Sequence, residues 1–585
     1  MLKNDPLKRV LYVDLTNRRY WVKEREDLFN KYLGGTGVAI KLLFEECPKG
    51  ANPLGPRNPI IFAVGPFNAV FPTASKTVAM FKSPLTGNLG ESHAGGRSSI
   101  AIRSAGYGAI VIKGVSETPV YLVITSDKVQ FKNAETLWGM ASSYTVGRVL
   151  RDAEKGAGNR TIMRIGRAGE NLVRYAGVVT ETYRHFGRLG LGEVFGSKKL
   201  KALVIAGKNT IPVKSPSTYR KVYQMLFDKI TKSSAMKKYH DIGTPVNILS
   251  LNEIGALPTE NLQKTKFEFA EIISGENLAA KYLARRIACS HCPVACIHLA
   301  ALREPYEDEP YYYKTTFVSY DYEPLFALGT MLGLHDVNGF LKLLELVEIY
   351  GLDAMSTGVA LAWATEAFNR GLIGTAETMG LSPKWGDYKI YRAMVKHLVN
   401  LDNEFYYALA QGVDFASEKY GGQEFAMAFG KNEMPGYHTG PAADIGFLIG
   451  ARHSHLDNAG YSRDQKTLGK TLSPQELIDR LVVEESWRQI LSSLVVCFFA
   501  RGIYKPEVVV NALEPLGYSF NVDALKKLGE EIYREKYNLK VREGFSISNL
   551  RIPDRIFETI SANGMIDKGY ILGALNYFKE KMNIK

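Results

Sequence analysis

The spacing of hydrophobic residues changes once along this chain, and that change bounds what it can fold into. Through the first two hundred residues, apolar runs are short and punctuated by Gly and Pro, at 10–15, 59–65, 77–81, 109–113, 119–125, 161–165 and 202–206. Runs of that length between turn formers predict strands. Tyr20 and Val22, just past the Thr16-Asn17 turn, predict a hairpin with the first strand, and helical patterns at 27–33 and 38–45 interrupt the β-rich region. After the polar segment 208–215 the period becomes 3.6, as at 339–349 and 360–370, and helix patterns then dominate to the C-terminus. The expectation is an α+β chain with a β-rich N-terminal base domain over 1–210 and two mostly helical domains. The boundary between those two, near 420, rests on the turn at Gly421-Gly422 and divides 211–420 from 421–585. No internal repeat is visible.

The length, 585 residues, agrees with three to four domains at about 150 residues each. The opening residues carry charges throughout and lack an apolar signal core, which predicts a cytoplasmic protein. The longest apolar stretch, 494–500, falls far short of the roughly 20 residues that span a bilayer. A net charge of +13 is spread without a dense basic run or a nucleic-acid-binding motif, so an acidic protein or a phosphorylated cofactor fits better than nucleic acid.

Five cysteines are too few for a disulfide framework, yet three of them fall in Cys289-x-x-Cys292-x-x-x-Cys296. Three thiols on one loop suit three corners of a cubane iron-sulfur cluster, with Cys497 as the fourth ligand. They also suit zinc, with His291 or His298 completing the set. Cys47, alone in a helical pattern, reads as core.

With these pieces in hand, the sequence resembles the tungsten-containing aldehyde ferredoxin oxidoreductases over essentially its whole length. The resemblance is carried by Lys82-Ser83-Pro84-Leu85-Thr86-Gly87, Ala105-Gly106-Tyr107-Gly108, Gly166-Arg167-Ala168-Gly169-Glu170-Asn171-Leu172, Gly187-Arg188-Leu189-Gly190-Leu191-Gly192 and the cysteine triplet. It implies a base domain carrying a tungsten or molybdenum bis-molybdopterin, and a [4Fe-4S] cluster on Cys289, Cys292, Cys296 and Cys497. It further implies aldehyde oxidation, with electrons leaving to ferredoxin or a dedicated iron-sulfur subunit. Gly95, Gly96 and Gly187 would let backbone N–H groups approach the pterin phosphates, with Arg97, Arg184 and Arg188 supplying charge.

The family's pterin motif falls on Glu348, Gly351, Leu352 and Asp353, with Glu for the first Asp. Its second copy falls on Ser492, Val495, Val496 and Cys497, with Ser for Asp and Val for Gly. Lys76 stands where the family has an arginine between cluster and pterin, and His93 where an asparagine helps hold a magnesium ion that bridges the phosphates. Carbonyls near His185 and Phe186 are the remaining magnesium candidates. The subunit-bridging metal pair falls on Lys342 and Leu346, so any oligomer is expected to form without that metal.

For catalysis, the resemblance places the active-site carboxylate on Glu323. It places a proton donor on His455 or His453 and a substrate-side tyrosine on Tyr437. Two other readings stand beside aldehyde oxidation: a reductive member acting on aromatic rings or carboxylic acids, and a metal-stapled interaction protein without enzymatic activity.

Overall fold

Residues 1–156, 160–306, 309, 311–470 and 472–584 are described by a computed structural model of the chain. Each predicted strand of the first two hundred residues is present, and together they build two six-stranded sheets. Strands β1 (Arg9–Asp14), β2 (Arg19–Glu24), β3 (Ile60–Ala63), β4 (Thr77–Lys82), β5 (Leu89–Ala94) and β6 (Ala109–Lys113) lie in the order β2-β1-β6-β3-β4-β5. Strands β7 (Val120–Ile124), β8 (Val129–Asn133), β9 (Thr161–Arg164), β10 (Val178–Thr180), β11 (His185–Phe186) and β12 (Leu200–Ile205) lie in the order β8-β7-β12-β9-β10-β11.

The two orders match strand for strand. In each sheet a hairpin strand runs parallel to the last strand (β1 with β6, β7 with β12), and every other pairing is antiparallel. This corrects the reading that the chain has no internal repeat. The repeat lies in hydrogen-bond order, which any run of apolar, β-forming residues can satisfy, so the two halves need share no residues. The predicted hairpin is β1–β2, and Trp21 on its exposed strand stacks on Tyr12 at 5.5 Å.

Beyond residue 210 the structure is mainly helical, including Val337–Tyr350 and Ala354–Asn369 where the 3.6 period placed them. Two regions depart from that expectation, the smaller a two-residue ladder of Ala428–Phe429 with Asn432–Glu433. Strands β13 (Leu283–Ile287), β14 (Ile297–Pro305) and β15 (Tyr313–Tyr320) form an antiparallel sheet, and the cysteine triplet occupies the turn between β13 and β14. The run Thr315-Thr316-Phe317-Val318 carries the β-branched and aromatic character of a strand.

A single apolar core runs from Leu7 to Ile584 and includes Cys47, with a small satellite under helix Ser143–Ala153. At the Gly421-Gly422 turn the Trp363 indole N–H donates to the Gly422 carbonyl at 3.3 Å. No helix among the described residues is long and apolar enough to cross a membrane.

Candidate redox active site

Three distant segments are stitched together around the cysteines by backbone hydrogen bonds. The Thr73 N–H donates to His291 O at 3.0 Å, Cys497 N–H to Thr73 O at 2.9 Å, Lys76 N–H to Val495 O at 3.1 Å and Ser290 N–H to Gly96 O at 2.9 Å. The triplet, the fourth cysteine and the loop before β4 therefore form one unit. Thr73, His291, Ala295 and Val495 all have positive φ, between 52° and 64°. Such conformations cost a non-glycine residue on the order of 1–3 kcal/mol each and cluster where function fixes a backbone.

All four thiols line one cavity of about 350 Å³. Gly95 forms part of its wall, and a Cβ there would sit 2.8 Å from the Cys289 sulfur and 3.5 Å from the Lys76 ammonium. Only a residue without a side chain leaves that space open. Lys76, His93, Arg184, His185, Gly187, Arg188, Glu348, Leu352, Asp353 and Val496 line the same cavity. Asp353 caps helix Ala354–Asn369 and receives the Arg188 guanidinium at 3.1 Å.

Each sheet of the repeat contributes one histidine facing a carboxylate. His93 Nε2 lies 2.7 Å from Glu91, whose other oxygen is 2.5 Å from the buried Lys536 ammonium. Burial alone would raise the Glu91 pKa, but Lys536 and then His93 hold it well below the usual range. Burial likewise pushes His93 down to about 4, keeping it neutral. His185 Nε2 lies 3.1 Å from Glu348, which also accepts a 2.7 Å hydrogen bond from the Tyr144 hydroxyl.

Glu323, in the first turn of helix Tyr322–Leu328, faces His455 Nε2 at 3.2 Å on the cavity wall. Burial works to raise the Glu323 pKa, and the hydrogen bond and charge of His455 overcome it, so the carboxyl sits below its usual range. Two residues earlier, burial and the Glu323 charge push Asp321 up to about 6, against the Arg184 guanidinium 3.3 Å away.

Family models for the aldehyde ferredoxin oxidoreductase N-terminal domain and for its domains 2 and 3 match residues 10–207 and 221–580. The chain belongs to the aldehyde ferredoxin oxidoreductase family. It is 31% identical to the tungsten-containing aldehyde ferredoxin oxidoreductase of Thermococcus kodakarensis over 96% of this chain and 93% of that one. It is also 31% identical to the Pyrococcus furiosus protein of the same name, over 91% and 88%. A solved structure, the active site complex BamBC of benzoyl coenzyme A reductase with 1,5-dienoyl-CoA, shares the fold with a TM-score of 0.82. It covers 99% of this chain and 94% of that one at 20% identity.

Members of the aldehyde ferredoxin oxidoreductase family carry a pterin-bound metal and an iron-sulfur cluster, and the cavity has the chemistry for both. Four thiols facing one cavity are the donor set that a four-iron cluster takes. Arg188 Nη1, Asn432 Oδ1 and His455 Nδ1 are buried on residues lining the cavity and have no hydrogen-bond partner among the described residues. Orphaned polar atoms of that kind are costly unless a ligand meets them.

Several expected residues do not reach the cavity. His453 is buried elsewhere, its Nε2 2.9 Å from Lys540 Nζ and its Nδ1 3.0 Å from Phe447 O, so of the two histidines only His455 lines the site. Tyr437 stands behind His455, with ring centroids 5.2 Å apart, and supports it rather than facing the cavity. Arg97 is exposed at the start of helix Ser98–Ser104. Gly96 is shut in by Thr182, and Phe186 packs on Phe62 at 5.4 Å. Gly351 and Ser492 serve turn backbones.

The sequence reading missed Asp321 and Arg452 in the cavity wall, although one lies two residues before Glu323 and the other next to His453. It also missed Lys536 and Tyr144, which touch the site only through Glu91 and Glu348. No local signal marks them.

Proposed function

We propose that this chain oxidises aldehydes to carboxylic acids at a bis-pterin tungsten centre, with electrons passing through a four-iron cluster to an external iron-sulfur carrier. The reading is carried by one observation: a Glu323–His455 pair, 3.2 Å apart, on the wall of the cavity that four thiols also face. A pterin-held metal bound there would supply two-electron redox chemistry, and a cluster on the four thiols one-electron transfer. The names of the relatives favour tungsten; the pterin sulfurs, and no side chain of this protein, would hold either metal.

The protein's own part is binding and proton handling. Lys76, Arg184, Arg188 and His185 offer donors to the pterin phosphates and rings, Glu348 and Asp353 offer acceptors, and Gly95 and Gly187 leave room for close approach. His93 presents an imidazole and no oxygen, so the reading includes no magnesium there. Glu323, held ionised by His455, accepts a proton from the water that adds to the aldehyde carbon. His455 orients that carboxylate, and Tyr437 and Tyr461, stacked at 4.1 Å, wall its ring in.

Enzyme produced without oxygen in tungstate medium provides the test. Glu323→Gln is expected to lower aldehyde-dependent viologen reduction by about 10²–10⁴-fold, the usual worth of a general base, with tungsten and iron content unchanged. Wild-type turnover in that variant removes Glu323 from the role. Reduction of an acid or aromatic thioester, with no aldehyde oxidation by the wild type, replaces this reading with the reductive one.

A further inference from the structure

The cysteine loop reaches the surface. His291, between Cys289 and Cys292, is exposed, as is Ala288, and the flanking thiols are partly so. Two further segments frame the loop. Helix Ser234–Asp241 is tied to it by His240 Nδ1, 2.8 Å from Val294 O, and by Arg286 Nε, which donates to His240 O at 2.8 Å. On the same helix, Tyr239 stacks at 4.2 Å on Phe499, two residues past Cys497. Segments 229–241, 281–291 and 498–505 thus converge around the thiols.

These three segments hold nine Lys or Arg and a single carboxylate, Asp241, whereas the whole chain has 73 cations against 60 anions. Lys237 pairs with Asp241, and Lys232 with Asp228 just outside the first segment. Among the described residues, Lys238, Arg285, Arg286, Arg501 and Lys505 have no carboxylate within ion-pair distance. A solvated face of a chain with +13 charge would still intersperse anions, as around Arg25, which meets Asp27 and Glu45. Here uncompensated cations ring the point where the thiols come nearest to solvent. Such a field steers and orients a partner of opposite sign.

We propose that this basic collar is the docking surface for a small acidic electron-carrier protein of the iron-sulfur class, seated over His291. The inference rests on the redox reading of the site and names the surface through which that site meets its partner. Charge complementarity favours the acidic carrier, and no nucleic-acid-binding motif accompanies the cations.

The experiment titrates oxidised, anaerobic holoenzyme with an oxidised plant-type ferredoxin in a calorimeter, at low and at raised salt. The comparison variant is Lys238→Glu/Arg285→Glu/Lys505→Glu, three exposed residues outside the cavity, with Lys238→Glu alone as a milder second variant. Expected are a Kd weakened about tenfold or more in the triple variant, a partial loss in the single one and a flatter salt dependence. Basic cytochrome c should gain affinity for the triple variant, and viologen reduction should stay unchanged. An unaltered Kd and salt slope would overturn the proposal, as would no ferredoxin binding by the wild type at low salt. An oligonucleotide that binds as tightly and is lost in parallel would reassign the surface to nucleic acid. The titration involves no turnover, so failure of the aldehyde reading shows separately, as absent viologen reduction with intact binding.

Discussion

The two halves of the base domain answer the same structural problem with different residues. Against each sheet docks the end of a long helix, Val337–Tyr350 on one side and Pro474–Ser493 on the other. Each helix closes with the same pair of hydrogen bonds: Gly351 N–H to Glu348 O and Leu352 N–H to Val347 O, Val495 N–H to Ser492 O and Val496 N–H to Leu491 O. Each turn is then held by its sheet, through Asp353 N–H to Tyr175 O and Gly177 N–H to Gly351 O, or through Cys497 N–H to Thr73 O and Lys76 N–H to Val495 O. Beneath each lies a glycine two residues past a strand: a Cβ on Gly166 would be 2.2 Å from Tyr350 O, and one on Gly65 would be 2.3 Å from Ser493 O. The scaffold is duplicated and the chemistry is not. One turn ends in a helix-capping carboxylate and the other in a thiol beside the triplet. One histidine leans on a carboxylate neutralised by Lys536, the other on a carboxylate that accepts from Tyr144.

The comparison breaks most visibly at the turn ends. Cys497→Ser should cost the cluster, seen as a fall from about four irons per chain, whereas Asp353→Asn at the matching position should leave iron content unchanged. Equal iron loss in both would mean that the turns share a ligand role. Next comes Lys536→Met, which leaves the buried Glu91 carboxylate without its cation and should destabilise by roughly 3–5 kcal/mol.

The pH dependence of that loss has a definite sign. In the wild type the folded pKa of Glu91 is depressed below 4.5, so its contribution is present above that pH and fades as pH falls through the folded value. Without Lys536, burial raises the folded pKa, and the variant instead gains relative stability as Glu91 takes up a proton. The gap in melting temperature should therefore be widest near neutrality and shrink on acidification. A gap that widens in acid would show that Lys536 acts through another partner.

The strands were legible because Gly and Pro bracket them, and the place of the site because three thiols in eight residues have no ordinary structural explanation. The duplication was not legible, since pairing order leaves no mark on residue identity. The β13–β15 sheet was hidden because the long helical periods on either side set the expectation for the whole region. Of the two neighbouring histidines, spacing could not say which faces the site. The answer lies in Asp457, whose carboxylate accepts from the Arg452 and Ser454 N–H groups and so shapes the loop that turns His455 inward. Lys536 and Tyr144 escaped notice for a related reason: each acts one contact away from the cavity, through a carboxylate far off in sequence.

Two smaller effects sharpen the comparison. Gly351 has φ of 74°, and a Cβ there would lie 2.9 Å from Gly166 N, so Gly351→Ala should cost about 1–3 kcal/mol. Val495 holds the matching left-handed conformation with a β-branched side chain, which shows that the cysteine-bearing loop, clamped at Thr73 and Lys76, enforces a conformation that the Gly351 turn obtains from residue type.

The smallest expected change is Tyr144→Phe. It removes one hydrogen bond to Glu348, and a bond to a charged acceptor contributes roughly 1.5–3 kcal/mol when fully buried. Tyr144 is only half-buried and Glu348 keeps its contact with His185, so about 1 kcal/mol is expected, read as a drop of a few degrees or less in melting temperature. A loss as large as that of Lys536→Met would show that the second histidine–carboxylate pair depends on its neutral partner as strongly as the first depends on its ammonium. The two halves would then be electrostatic equals despite their different residues.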